Sequence, residues 1–480
     1  MPKKPRTNEI VPNQNISFPI GTIYTVENLY QVLNCSKIFG KHKKNGIDIN
    51  KLLKALTSYK LNENFSIKRA HEWINRAEVL EIFDLEPFGE RTLYRILETI
   101  GAHKDEIISD LQDILFERYD FEHTDINMDW TSIVLHGNEA NLGKYGYSRD
   151  HRPDKKQITL GVSELADPIN IPIGLTIEPG NTNDQKHFKK TYNQVKGRLK
   201  KDSLVIFDKG ANSIPNTAMI RADNLQYMTS KKLNTSDDRI ISRFEKYNPL
   251  TIDAEKGIRG IKILKPNSVN YLFFSESLQK EQLESRARKI LSQIHEAKAI
   301  QKSIDCGKKL PKRFRINNLL IDVEYSVQTK LIELTEDEAV KLLEENIING
   351  REGFFCLKSS KNLTLAEALL TYRKKDSIEK IFNSLKNEIE IKPLRVWTDN
   401  SIYGALMIGF ISQLFVSLMR YEIPELKHTS TKFIKKSLSN LTVTVDSWER
   451  KVKTYVYSNF DAINVMVLRS NWAVSGGVMS

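Results

Sequence analysis

The chain has 480 residues, 40% hydrophobic and 9% aromatic, with 72 Lys and Arg against 60 Asp and Glu for a net charge of +12. That length calls for about three packed units. The apolar share excludes a disordered chain, and the positive balance favours a polyanionic partner such as nucleic acid. Cys35, Cys306 and Cys356 are scattered, odd in number and without metal-ligand spacing, as expected of reduced packing residues in a cytoplasmic protein. The basic start Met1 to Arg6 is followed by Pro12, Asn13, Asn15 and Pro19 rather than by an apolar run, which argues against a secretory signal.

Residues 1 to about 120 read as helical, with apolar spacing at Leu52, Leu53, Leu56 and again at Ala70, Trp73, Ile74, Ala77. Glu90 to Ile100 and Asp105 to Tyr119 continue the pattern. A small bundle is expected, with room for a helix-turn-helix; a scaffold without DNA contact fits the same pattern. After His123 the period changes. Asn127 to Leu135, Gln157 to Ser163 and Ile171 to Glu178 read as strands, the last two joined by a turn at Asp167-Pro168. A helix over Asp184 to Lys200 then leads to Leu204-Val-Ile-Phe207, an all-apolar run typical of a strand buried on both faces.

Leu225 to Met228 reads as a fifth strand. The next hundred residues are irregular, with strands at Asn270 to Phe274 and Asn318 to Tyr325 and a charged helix over Lys280 to Lys302. Regular spacing returns with a strand at Gly353 to Leu357 and a helix from Leu365, capped by Thr364 and Glu367. Asn400 to Met419 carries no charge and has the length of a bilayer span, but Ser401, Ser412, Gln413 and Ser417 interrupt it. A helix buried against a sheet is expected there, with no membrane partner.

Three acidic residues stand out. Asp129 lies inside the first strand, where an acid has poor β propensity, and alternation puts it on one face with Thr131. Asp208 directly follows the buried strand, at the carboxyl end where ligand sites of α/β sheets collect; a turn-forming aspartate is the competing reading. Glu379 falls in Tyr372-Arg-Lys-Lys-Asp-Ser-Ile-Glu-Lys-Ile-Phe-Asn-Ser-Leu-Lys386. On a single helix Tyr372, Lys375, Glu379 and Lys386 would share an arc of about 60°, beside an apolar stripe of Ile378, Phe382, Leu385 and Ile389. Asp376 capping that helix, with Glu379 as its third residue, is compatible with this stripe.

This set, with Asp-x-Thr-Ser at Asp129, Gly146-Tyr147-Ser148, Gly180-Asn181-x-x-Asp184, Asp208-Lys-Gly210 and Tyr-x2-Lys-x3-Glu-x6-Lys, resembles the DDE transposases of insertion sequences that bear the tyrosine-arginine-glutamate-lysine signature. The resemblance covers roughly residues 125 to 420. It implies an α/β fold: an RNase H-like mixed β-sheet catalytic core with a β-rich insertion, plus an N-terminal helical domain. The expected divisions are 1–122 for the helical domain, 123–234 and 350–422 for the two parts of the core, 235–349 for the insertion, and 423–480 for a carboxyl-terminal region suited to dimerisation or DNA contact. It further implies that Asp129, Asp208 and Glu379 hold two Mg²⁺ or Mn²⁺ ions about 4 Å apart, and that element ends are cut and their 3′ hydroxyls joined to target DNA. The implied partners are double-stranded DNA, as terminal inverted repeats and target, and a second copy of the chain in a homodimer; the expected location is the nucleoid-associated cytoplasm.

The signature's arginine is Lys375 here, with Arg373 nearby. The insertion has no tryptophan to stack a flipped base, which leaves Tyr271, Phe273 or Phe274 for that role, or a different step. The expected DNA contacts are Tyr372, Arg373, Lys375 and Lys386, Arg149 and Arg152 of a basic loop, and Lys189 and Lys190 within seven cations between Lys186 and Lys201; a solvated helix face competes for some of the last group. A nuclease of the same sheet class without strand transfer, and a catalytically inactive DNA-binding derivative, are the alternatives.

Overall fold

A computed structural model describes residues 16–470 except 63–65, 122, 137–139, 168–169, 308–320, 324–328, 332–334, 393 and 449–451. The basic start and Pro168 of the expected turn lie outside the described residues, as does most of the strand expected at Asn318 to Tyr325. Two compact units are present, residues 1–227 with 373–480, and residues 228–372.

The first unit opens with β1 (Ile16–Pro19) and seven helices: α1 (Gly21–Val32), α2 (Cys35–Gly40), α3 (Ile49–Asn62), α4 (Ile67–Ile74), α5 (Ala77–Phe83), α6 (Arg91–Ala102) and α7 (Lys104–Arg118). Leu52, Leu53, Leu56, Ala70, Trp73 and Ile74 are all buried, as their helical spacing requires. There follow β2 (Ile126–Val134), β3 (Gln157–Leu165), β4 (Ile171–Pro179), α8 (Asp184–Val195), β5 (Leu204–Phe207), α9 (Ile214–Ala222) and the start of β6 (Gln226–Lys231). Strands β4, β3 and β2 are antiparallel, and β5 lies parallel to β2. This mixed sheet, with its helical amino-terminal region, is the expected α/β architecture. All four residues of β5 are buried, as an all-apolar strand must be.

Along β2 the side chains alternate. Trp130 points to α8, where its indole N–H donates to Thr191 Oγ1 at 3.0 Å and its ring packs on Phe188. Asn127 points the other way, donating to Ser377 Oγ at 3.0 Å.

The second unit continues from β6 through α10 (Thr235–Ile241), β7 (Leu250–Asp253), β8 (Ile258–Lys265), β9 (Ser268–Ser275), α11 (Glu276–Asp305), β10 (Ile321–Val323), β11 (Thr329–Leu331), α12 (Glu336–Ile347), β12 (Phe354–Ser359) and most of α13 (Leu365–Arg373). Strands β6, β12, β9, β8 and β7 pair antiparallel in that order. The expected cap of α13 forms: Glu367 N–H donates to Thr364 Oγ1, and Thr364 N–H donates to Glu367 Oε2.

The first unit resumes with α14 (Asp376–Asn383), a π-helical turn over Ser384–Glu388, α15 (Asp399–Glu422), α16 (Thr431–Asn440), β13 (Thr442–Trp448), β14 (Val452–Ser458) and α17 (Ala462–Arg469). Helix α15 is long and apolar enough to cross a bilayer, yet its most apolar stretch is wholly buried against the protein. Gly101 and Gly404 explain how it fits so closely on α6: a Cβ on Gly101 would lie 1.8 Å from Asn400 O, and one on Gly404 2.1 Å from Leu97 O.

One expected element is corrected. Tyr372 to Lys386 is not a single helix: α13 stops at Arg373, Lys374 and Lys375 form a turn, and α14 starts at Asp376. The π turn then inserts about one extra residue per turn before Lys386 is reached. The common 60° arc of Tyr372, Lys375, Glu379 and Lys386 is therefore lost. The apolar stripe survives, with Ile378, Phe382, Leu385 and Ile389 all buried. The residue preceding α14 is Lys375, and Asp376, already inside the helix, does not cap it.

Candidate active site

The parallel register of β2 and β5 pairs Asn127 with Ile206 and Met128 with Phe207. One step further, Asp129 comes level with Asp208, so the carboxyl end of β5 delivers an aspartate beside one in mid-β2. Adjacent strands lie about 4.8 Å apart, and the two carboxylates feel each other. Burial pushes the Asp129 carboxyl above its ordinary range, Asp208 adds to the rise, and Lys375 and Arg149 oppose it.

The turn before α14 supplies the counter-charge. Lys375 is buried, and its Nζ stands 3.4 Å from Asp129 Oδ2 and 4.0 Å from Glu379 Oε1. Glu379 is in the first turn of α14 with 69% of its side chain exposed. One ammonium thus lies against both an aspartate of the sheet and the glutamate of the helix, with a second aspartate alongside. Hard, anionic oxygens around a position that already attracts a cation fit Mg²⁺ or Mn²⁺ in chemical type.

A residue that sequence reasoning did not single out holds α14 over this face. Glu164 lies opposite Asn127 across β2 and β3 and is fully buried. Its Oε1 accepts from Asn127 Nδ2 at 2.9 Å and from the Ser377 hydroxyl, while Asn127 Nδ2 also reaches Lys374 O at 3.4 Å. Glu164 Oε2 and Asn127 Oδ1 are buried without a partner among the described residues. Burial raises the Glu164 carboxyl to about 8 against the pull of Ser377, Asn127 and Lys375. The signal in the sequence is a lone acid within Gln157-Ile-Thr-Leu-Gly-Val-Ser-Glu-Leu165.

The glycine-bearing motifs knit the surrounding loops. A Cβ on Gly146 would meet Gly180 O at 2.0 Å, so Gly146-Tyr-Ser and Gly180-Asn meet backbone to backbone. Arg149 Nη2 donates to Asp184 Oδ2 at 2.8 Å, and its N–H donates to Ser132 Oγ on β2 at 2.8 Å. Lys386 is nearly enclosed, 3.2 Å from Asp150 Oδ1, which Lys392 approaches at 3.3 Å. Burial holds the Lys386 ammonium below its ordinary range, and Lys392 and Arg149 push the same way against Asp150.

The remaining candidates divide. Arg152 makes a two-pronged pair with Asp154 on the surface. Lys189 is exposed, whereas Lys190 donates to Ile177 O, Glu178 Oε1 and Tyr403 OH. Arg373, with Lys374, Lys380, Arg420 and Lys427, lines a cleft of about 640 Å³ beside α14. Tyr372 is at the end of α13, half-buried. The aromatic candidates of the second unit are corrected: Tyr271 and Phe273 are completely buried, Tyr271 hydroxyl-bonded to Leu363 and Phe273 stacked on Phe355, while Phe274 packs on Phe354 and Phe244. Tyr247, at 52% exposure, is the more accessible ring of that unit.

A family model described as the transposase DDE domain matches residues 120–415. Among solved structures the chain is similar to a piggyBac transposase in a synaptic complex with hairpin DNA, at 10% identity and a TM-score of 0.42, over 89% of this chain and 80% of that one. Among curated protein sequences, none matches.

Proposed function

The chain belongs to the transposase DDE domain family, and on that footing we propose that it is the DNA transposase of an insertion sequence, of the group with the tyrosine-arginine-glutamate-lysine signature. The observation that carries this reading is the parallel register of β2 and β5, whose next step brings Asp208, just beyond β5, level with Asp129, with Lys375 linking Asp129 to Glu379. Asp129, Asp208 and Glu379 would hold two divalent ions, Mg²⁺ or Mn²⁺. When bound, such ions activate an attacking hydroxyl and stabilise the departing 3′ oxygen of an in-line displacement.

The chain's own residues supply the rest. Lys375 neutralises Asp129 and Glu379 until a stronger cation competes for them. The signature's arginine suits two-pronged phosphate recognition; this lysine is instead turned inward, and Arg373 at the mouth of a basic cleft is the better placed to meet a phosphate. Asp150 faces both Lys386 and Lys392 with Arg149 next in sequence, a surplus of positive charge that suits a DNA backbone beside the scissile bond. Arg149, Arg152 and Lys189 extend that basic track, Lys190 supports it through Glu178, and Tyr372 is assigned a separate DNA contact. The partners we assign are double-stranded DNA, as element ends and target, and a second copy of the chain, in the cytoplasm.

The test is an assay of the purified protein with Mg²⁺ on duplexes carrying the DNA that flanks its coding sequence. Cleavage at the ends followed by joining of the 3′ hydroxyls to a second duplex supports the reading. Cleavage without joining replaces it with a nuclease, and binding without cleavage replaces it with an inactive DNA-binding derivative.

A further inference from the structure

In the helical region, apart from the carboxylate site, two histidines and a glutamate converge where α2 ends and α6 turns into α7. His42 stands two residues beyond α2, His103 is the single residue between α6 and α7, and Glu106 is in the first turn of α7. The two imidazoles are stacked, with ring centroids 4.2 Å apart and planes 25° from parallel. Glu106 Oε2 faces both of them, 3.9 Å from His42 Nδ1 and 3.8 Å from His103 Nδ1. One ligand atom from each of the three lies within 4.8 Å of the other two.

The carboxylate divides its oxygens. Oε1 pairs with Lys41 Nζ at 2.5 Å, and Lys41 is tied in turn to Asp110 Oδ2 at 2.6 Å, which leaves Oε2 for the imidazoles. The His42 side chain is only 4% exposed, and its buried Nε2 has no hydrogen-bond partner among the described residues. Folding has thus withdrawn an imidazole from water without compensating that nitrogen, while its other nitrogen faces a carboxylate.

We propose that His42, His103 and Glu106 form a site for a divalent transition-metal ion of the zinc class, which staples the end of α2 to the α6–α7 corner. Two imidazole nitrogens and one carboxylate oxygen are a donor set that zinc takes readily, whereas Mg²⁺ prefers oxygen alone. Donors at zinc bond lengths of about 2.0–2.1 Å stand roughly 3.4 Å apart around a tetrahedron. The separations of 3.8 and 3.9 Å to Glu106 need to close by about half an ångström, and the exposed His103 ring has to turn out of its stack on His42 so that both nitrogen lone pairs meet at one point, a change of side-chain rotation alone. Glu106 is 51% and His103 44% exposed, which gives the ion a way in and leaves the fourth position to water.

The full-length protein, stripped with a chelator, is titrated with Co²⁺ as a spectroscopic substitute for Zn²⁺. One equivalent should produce the intense visible bands of tetrahedral, nitrogen-ligated cobalt, and Zn²⁺ should bleach them and raise the thermal midpoint. His103→Ala and Glu106→Gln, at positions exposed enough to spare the fold, should each weaken Co²⁺ binding by about tenfold or more. Asp208→Ala should leave the bands intact, because cobalt held octahedrally by oxygen absorbs weakly. Absence of tetrahedral bands in the wild-type protein overturns the proposal. So do bands that persist in His103→Ala, or that vanish in Asp208→Ala.

Discussion

Glu164 makes the sheet and α14 one proton-dependent unit, and its replacement by glutamine should flatten part of the pH dependence of stability. The carboxyl is fully buried, and its folded value of about 8 stands above its ordinary 4.5. A raised value means that the folded state holds the proton more tightly. The stabilisation is fully present below the unfolded value and is lost as pH rises through the folded one. Each pH unit across that window costs about 1.4 kcal/mol, and the whole window between roughly 3 and 5 kcal/mol. The proton has a place to go: on Oε2 it turns an orphaned oxygen into a donor, with the equally orphaned Asn127 Oδ1 on the side chain that already donates to Oε1. Glutamine reproduces that neutral arrangement with an amide at every pH. No tryptophan falls within residues 228–372, so tryptophan fluorescence during urea unfolding reports the first unit. Between pH 5.5 and 7.5 the wild-type protein should lose about 3 kcal/mol relative to Glu164→Gln. His187, held down at about 3, contributes a slope of opposite sign, and being common to both proteins it cancels. Equal slopes in the two proteins would mean that Glu164 is ionised in the fold, and the reasoning would fail.

The other expectations concern the same unit. Asp208→Ala should abolish end cleavage while gel-shift affinity for the duplex stays within about twofold; substantial residual cutting removes Asp208 from the metal-binding set. Glu379→Gln should be silent in stability, within about 0.5 kcal/mol at so exposed a position, yet lose cleavage by at least about a hundredfold. Since Asp376 does not cap α14, no capping bond is at stake in that comparison. Gly146→Ala should cost about 1–3 kcal/mol by thermal denaturation, because its Cβ falls on Gly180 O, a backbone atom that cannot rotate away. Lys386→Ala should cost about 1–3 kcal/mol, since among the described residues Asp150 Oδ2 is already without a partner and only Lys392 would remain to pair with Asp150. If Lys386 also meets a phosphate, the salt slope of DNA binding should fall by about one, and an unchanged slope confines it to the fold.

The strands that carry Asp129 and Asp208 were legible because their patterns have one physical solution. Leu204-Val-Ile-Phe207 has no polar side chain to turn toward water, so it must lie inside a sheet, and the aspartate that follows it must sit at the strand end. Asn400 to Met419 was legible for a related reason: its serines and Gln413 are tolerable in a core helix, and Ser412 donates back to Ile408 O one turn earlier. Glu164 was not legible. Alternation states which face a residue takes, but whether that face is covered depends on α14, more than two hundred residues away. The aromatics of the second unit failed in the same way, since Phe273 reads alike whether it stacks on a base or on Phe355.

The failed single helix over Tyr372 to Lys386 has a tertiary cause. No glycine or proline interrupts Arg373-Lys-Lys-Asp376, and local propensity would carry a helix through it. What competes is a set of contacts that only a turn can make together. Lys374 Nζ reaches Asp167 at 2.6 Å, Lys374 O accepts from Asn127, and Lys375 points inward at Asp129. In a continuous helix, successive residues lie 100° apart, and 374 and 375 could not both face the sheet in this way. The break therefore exchanges helical hydrogen bonds at two residues for an ion pair beneath the helix start. It also leaves Glu379 in the first turn of α14 rather than in mid-helix. An exposed glutamate next to a lysine already facing Asp129 is poised to exchange that lysine for a divalent cation, which a glutamate buried in mid-helix would not be.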